Sequence, residues 1–210
     1  MISRLYQWLQ AHPTVKHKVH RLIEHPRTRP RWWVRNLLMP FLIKRKKGSY
    51  ISPKVRRDLY PYHLFSLGCK SIIEQNVTLN NAMGPIIIGD YSRIGIGSVV
   101  LGETVIGNYV LTGQHCLFSG LNHNYEDIDT PIILQGTYSY RITIEDDVLI
   151  GANTIICAGI KIGTHSVISA GSVVRNSIPP YSYAAGNPAA VLYNLKTGKR
   201  PNYKLQTTSK

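Results

Sequence analysis

Ile144 to Pro179 divides into six-residue units without remainder: IEDDVL, IGANTI, ICAGIK, IGTHSV, ISAGSV, VRNSIP. The first place holds Ile144, Ile150, Ile156, Ile162, Ile168 and Val174, all β-branched. The fifth holds Val148, Thr154, Ile160, Ser166, Ser172 and Ile178, small or β-branched. A period of six is neither helical nor a simple alternation. It describes short strands joined by tight corners, with one side chain per strand always aimed at the same interior. One such strand cannot bury its apolar side alone, so the strands must stack coil on coil.

The register recurs upstream. From Ile88 the chain reads IGDYSR, IGIGSV, VLGETV, IGNYVL, TGQHCL, FSGLNH and stops at His123, with Thr112 the one polar residue in a first place. A weaker pair, from Ile73 and from Leu79, slips by three residues at Met83-Gly84-Pro85. Twelve regular hexads thus lie in two blocks, parted once between His123 and Ile144. The expected organisation is a basic, largely helical arm with a transition segment (1–68), a β-helix (69–192) with an excursion loop at 124–143, and a polar tail (193–210).

Three features together resemble the hexapeptide-repeat acyltransferases: the hexads, an interruption that begins at a His, and the closing run IPPYSYAAGNPAAVL at Ile178–Leu192. The resemblance is to the sugar O-acetyltransferases, which include the galactoside, maltose and exopolysaccharide enzymes. It implies a mainly β fold, a left-handed parallel β-helix assembled as a homotrimer. It also implies transfer of an acetyl group from acetyl-CoA to a sugar hydroxyl, in surface-polysaccharide or lipid-linked glycan synthesis. No metal is implied.

Such a transfer needs a base for the hydroxyl proton and donors for the tetrahedral oxyanion. Histidine titrates near working pH. His123 ends a hexad where the register breaks, so its side chain can leave the stack; by resemblance it is the catalytic base. Its orienting partner is Glu126, Asp127, Asp129 or a backbone carbonyl. His115 stands where the galactoside and maltose enzymes are expected to carry Asn; it either faces the acceptor or is a solvated corner. His165, at a fourth place, reads as surface. In the excursion, Glu126, Asp127 and Asp129 can accept from sugar hydroxyls, and Tyr125, Tyr138 and Tyr140 offer stacking faces. Arg141 can hold an anion or pair with one of those acids. For the donor, the resemblance assigns the pantetheine to backbone near Ala152 and Ala170 and the nucleotide end to Gly186-Asn187-Pro188. Phosphates fall to Arg175, with Lys196 or the tail as further candidates. Ala190, Tyr193 and Leu149 depart from the family's usual residues.

Three rival readings remain. An N-acetyltransferase on an amino-sugar uses the same machinery. A non-catalytic β-helix scaffold keeps the fold alone. A γ-class carbonic anhydrase needs three zinc-bound His across a subunit boundary, its two same-subunit His more closely spaced than His115 and His123, and leaves the GNPAA close unexplained.

Charge is concentrated at one end. Residues 1–58 hold 15 Lys and Arg against 2 Asp and Glu, while residues 59–210 hold 10 against 9, so the arm carries nearly all of the net +14. Ile2, Leu5, Tyr6 and Leu9, then Val15, Val19, Leu22 and Ile23, recur at helical spacing. Val34, Leu37, Leu38 and Phe41 do so again, with Pro40 expected to kink or end that helix. The apolar run Trp32–Ile43 is far shorter than the ~20 residues of a bilayer span. Its two tryptophans and the Lys44-Arg45-Lys46-Lys47 cluster fit either an anionic membrane surface or packing on the body. No nucleic-acid motif accompanies the charge. The start, MISRLYQWLQAHP, lacks a long apolar h-region and reads as no secretory signal. Cys69, Cys116 and Cys157 make no metal spacing and no even set, which fits a reducing cytosol, with Cys116 a small core residue.

Overall fold

The computed structural model describes residues 11–25 and 29–199. Strands of two or three residues stack in parallel into three flat faces. Face 1 runs Lys44–Arg45, Phe65–Leu67, Ile86–Ile88, Thr104–Ile106, Ile142–Ile144, Lys161–Ile162. Face 2 runs Tyr50–Ile51, Ile72–Ile73, Arg93–Ile94, Leu111–Thr112, Leu149–Ile150, Val167–Ile168, Ser182–Gly186, and is closed by antiparallel Ala189–Asn194. Face 3 runs Arg56–Asp58, Thr78–Asn80, Val99–Leu101, Leu117–Ser119, Ile155–Ile156, Val173–Val174. The result is a β-solenoid of about six turns, and its hexapeptide repeats fit a left-handed β-helix.

The fourth hexad place makes the corner. Tyr91, Tyr109, His115, Asp147, Asn153 and His165 all have φ between 53° and 58°, in the left-handed region. That conformation costs a residue with a Cβ about 1–2 kcal/mol. Each corner recovers a backbone bond to the coil before it: Tyr109 N donates to Asp90 O (2.9 Å) and His115 N to Ile96 O (2.8 Å). Where the second place is Gly, coils touch there. A Cβ on Gly113 would lie 2.5 Å from Ala152 N, and one on Gly151 would lie 2.4 Å from Ala170 N.

First places fill the interior: Ile88, Ile94, Val100, Ile106, Phe118 and the six from Ile144 to Val174 are each exposed by 2 % or less. Thr112 is buried too, and its hydroxyl accepts from Gly95 N at 2.9 Å, which accounts for a polar residue in an apolar column. Fifth-place serines bind coil to coil; Ser92 Oγ donates to Gly107 O (2.8 Å) and accepts from Val110 N (3.0 Å). Cys116 is fully buried, and burial pushes its thiol up.

Two expected boundaries move. Parallel pairing begins at Lys44, opposite Ser66, rather than at Cys69. Regular coils pair residues eighteen apart, as Val99 with Leu117, but the first pairs residues twenty-two apart, as Arg56 with Thr78. The extra residues sit in the corners and hide the register. The excursion also differs from 124–143. The chain leaves after Ser119, Leu121–His123 pairs antiparallel with Thr137–Ser139, and Ile142 is back in the core. Asn122, assigned a fifth place, is therefore exposed.

In the arm, Pro13–Ile23 is helical, as its apolar spacing predicts; Ile2, Leu5, Tyr6 and Leu9 lie outside the described residues. Val34–Leu38 is a π-helical turn running into the helix Met39–Leu42, with Pro40 in its first turn. Val34 and Met39 are buried against the core, while Trp32, Leu37 and Phe41 face outward. Lys46 reaches Asp90 at 3.0 Å, so the basic cluster is partly spent on packing. No helix among the described residues is long and apolar enough to cross a membrane.

Thr112→Val keeps the shape of the column and removes its acceptor. The unpaired Gly95 amide should cost about 1–3 kcal/mol, read as a lower melting temperature with an unchanged circular dichroism spectrum.

Candidate active site

His123 stands at the end of the outgoing strand of the excursion hairpin, opposite Thr137, with its side chain exposed. Among the described residues none of the three candidate acids is hydrogen-bonded to the His123 ring. The three candidate acids serve the loop or solvent instead. Glu126 Oε2 accepts from Tyr125 N (3.1 Å), and Asp127 Oδ1 from Asp129 N (2.9 Å). Bonds from the Thr130 side chain and the Asp129 amide hold the Asp127 carboxyl below the usual carboxylate range. Asp129 is exposed, with its amide turned to Asp127.

The loop is organised by a residue that composition gave no reason to single out. Gln135 Nε2 donates to Asp127 O and Thr130 O, both at 2.7 Å, and its Oε1 accepts from Asp127 N at 3.1 Å. Arg141 pairs with none of the loop acids. Its Nε donates to Glu103 Oε1 at 2.7 Å, one coil back, and so pins the return of the excursion to the body. Tyr138 and Tyr140 meet edge to face at 5.3 Å, and Tyr125 and Tyr140 are exposed.

The donor candidates lie on a different edge. His115, Ala152, Ala170 and the Gly186-Asn187-Pro188 turn all occupy the corner between faces 2 and 3, in successive coils. Gly186 N donates to Ser172 Oγ (3.2 Å), which seats the closing turn on the AGSV corner. Gly171 N donates to Ala152 O (2.8 Å), so Ala152 and Ala170 follow one another along this edge. His115 is an exposed corner with positive φ, and a Cβ on Gly97 would meet its ring at 2.5 Å.

His123, the loop residues, Arg141 and Arg175 belong instead to the edge between faces 3 and 1. The strand Leu117–Ser119 and the width of face 3 separate His115 from His123. Arg175 is exposed beyond Val174 on that same edge, away from the Gly186 turn. Lys196 lies over the Tyr181 ring at 3.5 Å, on the third edge, and is not beside the turn either. That third edge carries a column of aromatic corners, with Tyr91 stacked on Tyr109 at 5.1 Å. There His165 Nδ1 lies 2.5 Å from Asp147 Oδ2, beside an open cavity of about 340 Å³ lined by Leu111 and Leu149. The fourth-place reading of His165 as surface holds, but its carboxylate partner was not anticipated.

Residues 141–175 match the family model described as the hexapeptide repeat of succinyl-transferase. A probable acetyltransferase of Mycobacterium tuberculosis is 33% identical over 119 residues, 56% of this chain and 40% of that protein. The galactoside O-acetyltransferase of Escherichia coli is 42% identical over 66 residues, 31% of this chain and 32% of that enzyme. The chain thus spans less than half the length of these relatives. Among solved structures, a hexapeptide-repeat acetyltransferase of Vibrio cholerae complexed with acetyl-CoA superposes with a TM-score of 0.52 at 27% identity, over 77% of this chain and 76% of that one. A Bacillus cereus N-acyltransferase in complex with dTDP-4-amino-4,6-dideoxyglucose and CoA superposes with a TM-score of 0.63 at 20% identity, over 73% and 83%. At that identity the likeness is one of fold. The resemblance to hexapeptide-repeat acetyltransferases holds in both sequence and structure.

Gln135→Ala removes three hydrogen bonds from the excursion and none from the coils. The loop should become cleavable by protease at native temperature, while the melting temperature of the body moves little. Equal protease resistance in variant and parent would mean that Gln135 does not hold the loop.

Proposed function

We propose that this chain is an acyl-CoA-dependent acyltransferase that moves an acetyl group onto a sugar hydroxyl, with His123 as general base and sites shared between neighbours in a homotrimer. One observation carries the reading: the residues suited to the donor and those suited to the acceptor lie on different edges of one prism. A chain so arranged builds a complete site only when the edge between faces 3 and 1 meets a second chain's edge between faces 2 and 3. Three chains around an axis close that contact in a ring, with the edge between faces 1 and 2 of each chain left outside it. The exposed apolar residues Ile155, on face 3, and Ile128, Ile133 and Leu134, in the excursion, are surface that such an assembly would cover.

In this site the acceptor hydroxyl attacks the thioester carbonyl carbon as His123 takes its proton. The tetrahedral oxyanion is held by backbone N–H donors along the Ala152–Ala170 edge. Collapse breaks the carbon–sulfur bond, and the proton on His123 leaves with the CoA thiol. The acetyl-CoA and CoA of the similar structures, and the sugar substrates of the similar enzymes, support this donor and acceptor class. The phosphates of CoA need cations, and Arg175 across the shared site is the candidate on the acceptor edge. The outward row Trp32, Leu37 and Phe41, with Lys44 and Lys47 nearby, suits peripheral contact with an anionic leaflet on the cytoplasmic side.

A second reading, transfer to an amino-sugar nitrogen, is favoured by the N-acyl transfer named for the Bacillus cereus structure. Alkaline hydroxylamine separates the two, because it cleaves an ester product and leaves an amide.

His123→Ala should lower kcat by about 10²–10⁴ with CoA affinity unchanged. Ala170→Trp should abolish CoA binding by filling the donor edge. Co-expressed, the two variants should recover about a quarter of wild-type activity, since random trimers pair an intact edge of one with an intact edge of the other. A mixture no more active than either parent would mean that each chain completes its own site.

A further inference from the structure

Much of the positive charge of the basic end converges on one place. Five arginines, Arg29, Arg35, Arg45, Arg56 and Arg57, line a cavity of about 350 Å³ between the segment Val34–Leu42 and the first coil. Its walls are firm: Met39, Val55 and Leu59 are each buried in the core cluster.

The nearby acids leave most of this charge unmatched. Asp58, 2% exposed in its side chain, takes Arg29 Nε at 3.0 Å and Arg56 Nε at 2.5 Å. Glu24 is engaged by a hydrogen bond with Tyr60. Arg45 donates from its guanidinium to Ser49 O (2.7 Å) and, from Nε, to Ser49 Oγ (3.5 Å), and among the described residues is paired with no acid. Among the described residues, Arg35 and Arg57 form no ion pair. Five cations thus surround one space with a single carboxylate bound among them. Like charges held this close raise the local potential and concentrate anions. The planar, always-charged guanidinium presents paired N–H donors that match two oxygens of a phosphate.

We propose that this cavity binds a phosphate or diphosphate group, and that it is a site distinct from the acyl-transfer edges. It opens at the first coil, whereas the excursion leaves after the fourth. Three layers at a strand spacing of about 4.8 Å set them about 14 Å apart along the axis. The phosphate is carried either by a soluble ester or by a phospholipid headgroup; both present the same oxygens to the same forks.

Calorimetric titration of the full chain with inorganic pyrophosphate, at fixed ionic strength, tests the site. Saturable binding with a Kd below about 1 mM is expected, with a rise in melting temperature as ligand is added. Arg35→Ala with Arg57→Ala should weaken binding tenfold or more, without loss of fold, because neither side chain holds another residue. If that double variant fails to fold, Arg57→Ala and Arg57→Lys are measured singly, and both should bind more weakly than the parent. Displacement by glucose 1-phosphate assigns the site to soluble esters. Displacement by dihexanoyl phosphatidic acid, below its micelle concentration, assigns it to lipid headgroups. The proposal is overturned if pyrophosphate binds without saturation or binds the arginine variants as tightly as the parent. It is also overturned if CoA displaces pyrophosphate and the same variants lose CoA, since the cavity would then be part of the donor site.

Discussion

Each coil is attached to the one before it by the same event: a corner residue with positive φ turns the chain, and its amide donates to a carbonyl of the preceding coil. Tyr109, His115, Asp147 and His165 all do this, at 2.8–3.1 Å. The turn defines the triangle, and the bond defines the rise. Everything else must conform. The first place has to be apolar because it points at the axis. Where the second place holds Gly, as at Gly113 and Gly151, the next coil passes within van der Waals contact of it. A polar residue inside must bring its own partner, as Thr112 does for Gly95. The conformational cost of a left-handed corner, about 1–2 kcal/mol, is offset because it is repeated only where a coil-to-coil bond is gained.

That regularity is why so much could be read from the sequence. Twelve hexads announced the parallel coils, and fourth-place position marked His165 as a surface corner. The first coil escaped notice because its corners carry extra residues, which leave Lys44–Arg45 and Arg56–Asp58 paired in space but out of step in sequence. The excursion was visible as an interruption, yet its hairpin was not, because Leu121–His123 continues the apolar-polar texture of a hexad while pairing in the opposite sense. Contacts across coils were least legible. Arg141 and Glu103 are distant in sequence and adjacent in space, because the excursion intervenes between two neighbouring layers. Gln135 looks like any polar loop residue until its three bonds are seen.

The arrangement of the site follows from the prism rather than from any local motif. A corner's edge is set by its place in the coil, so residues one coil apart share an edge and residues half a coil apart do not. Ala152 and Ala170 are eighteen residues apart and fall in line; His115 joins them once the excursion is discounted. His123 comes one strand later and falls on the next edge. Counting by eighteen could have separated the two groups in advance. The sequence reading instead gathered them by chemical role. The basic end shows the complementary lesson: a charge run that reads as an arm is in part structural, with Lys46 tied to Asp90 and Asp58 buried between two arginines.

The excursion departs and returns at nearly one point. Gly120 N donates to Leu101 O and Tyr140 N donates to Gly120 O, both at 3.0 Å, so the body sees only a closed stem. Whatever lies beyond that stem is thermodynamically cheap to exchange, since doubling a loop's length adds only about 0.6 kcal/mol of closure entropy. The coils below and above are already bonded to each other, as Thr104–Ile106 is to Ile142–Ile144, and do not depend on what the loop contains. The fold therefore behaves as a socket: a rigid stack with one interchangeable insert. Lineages of such proteins can diversify what the insert meets while inheriting the rest of the stack unaltered.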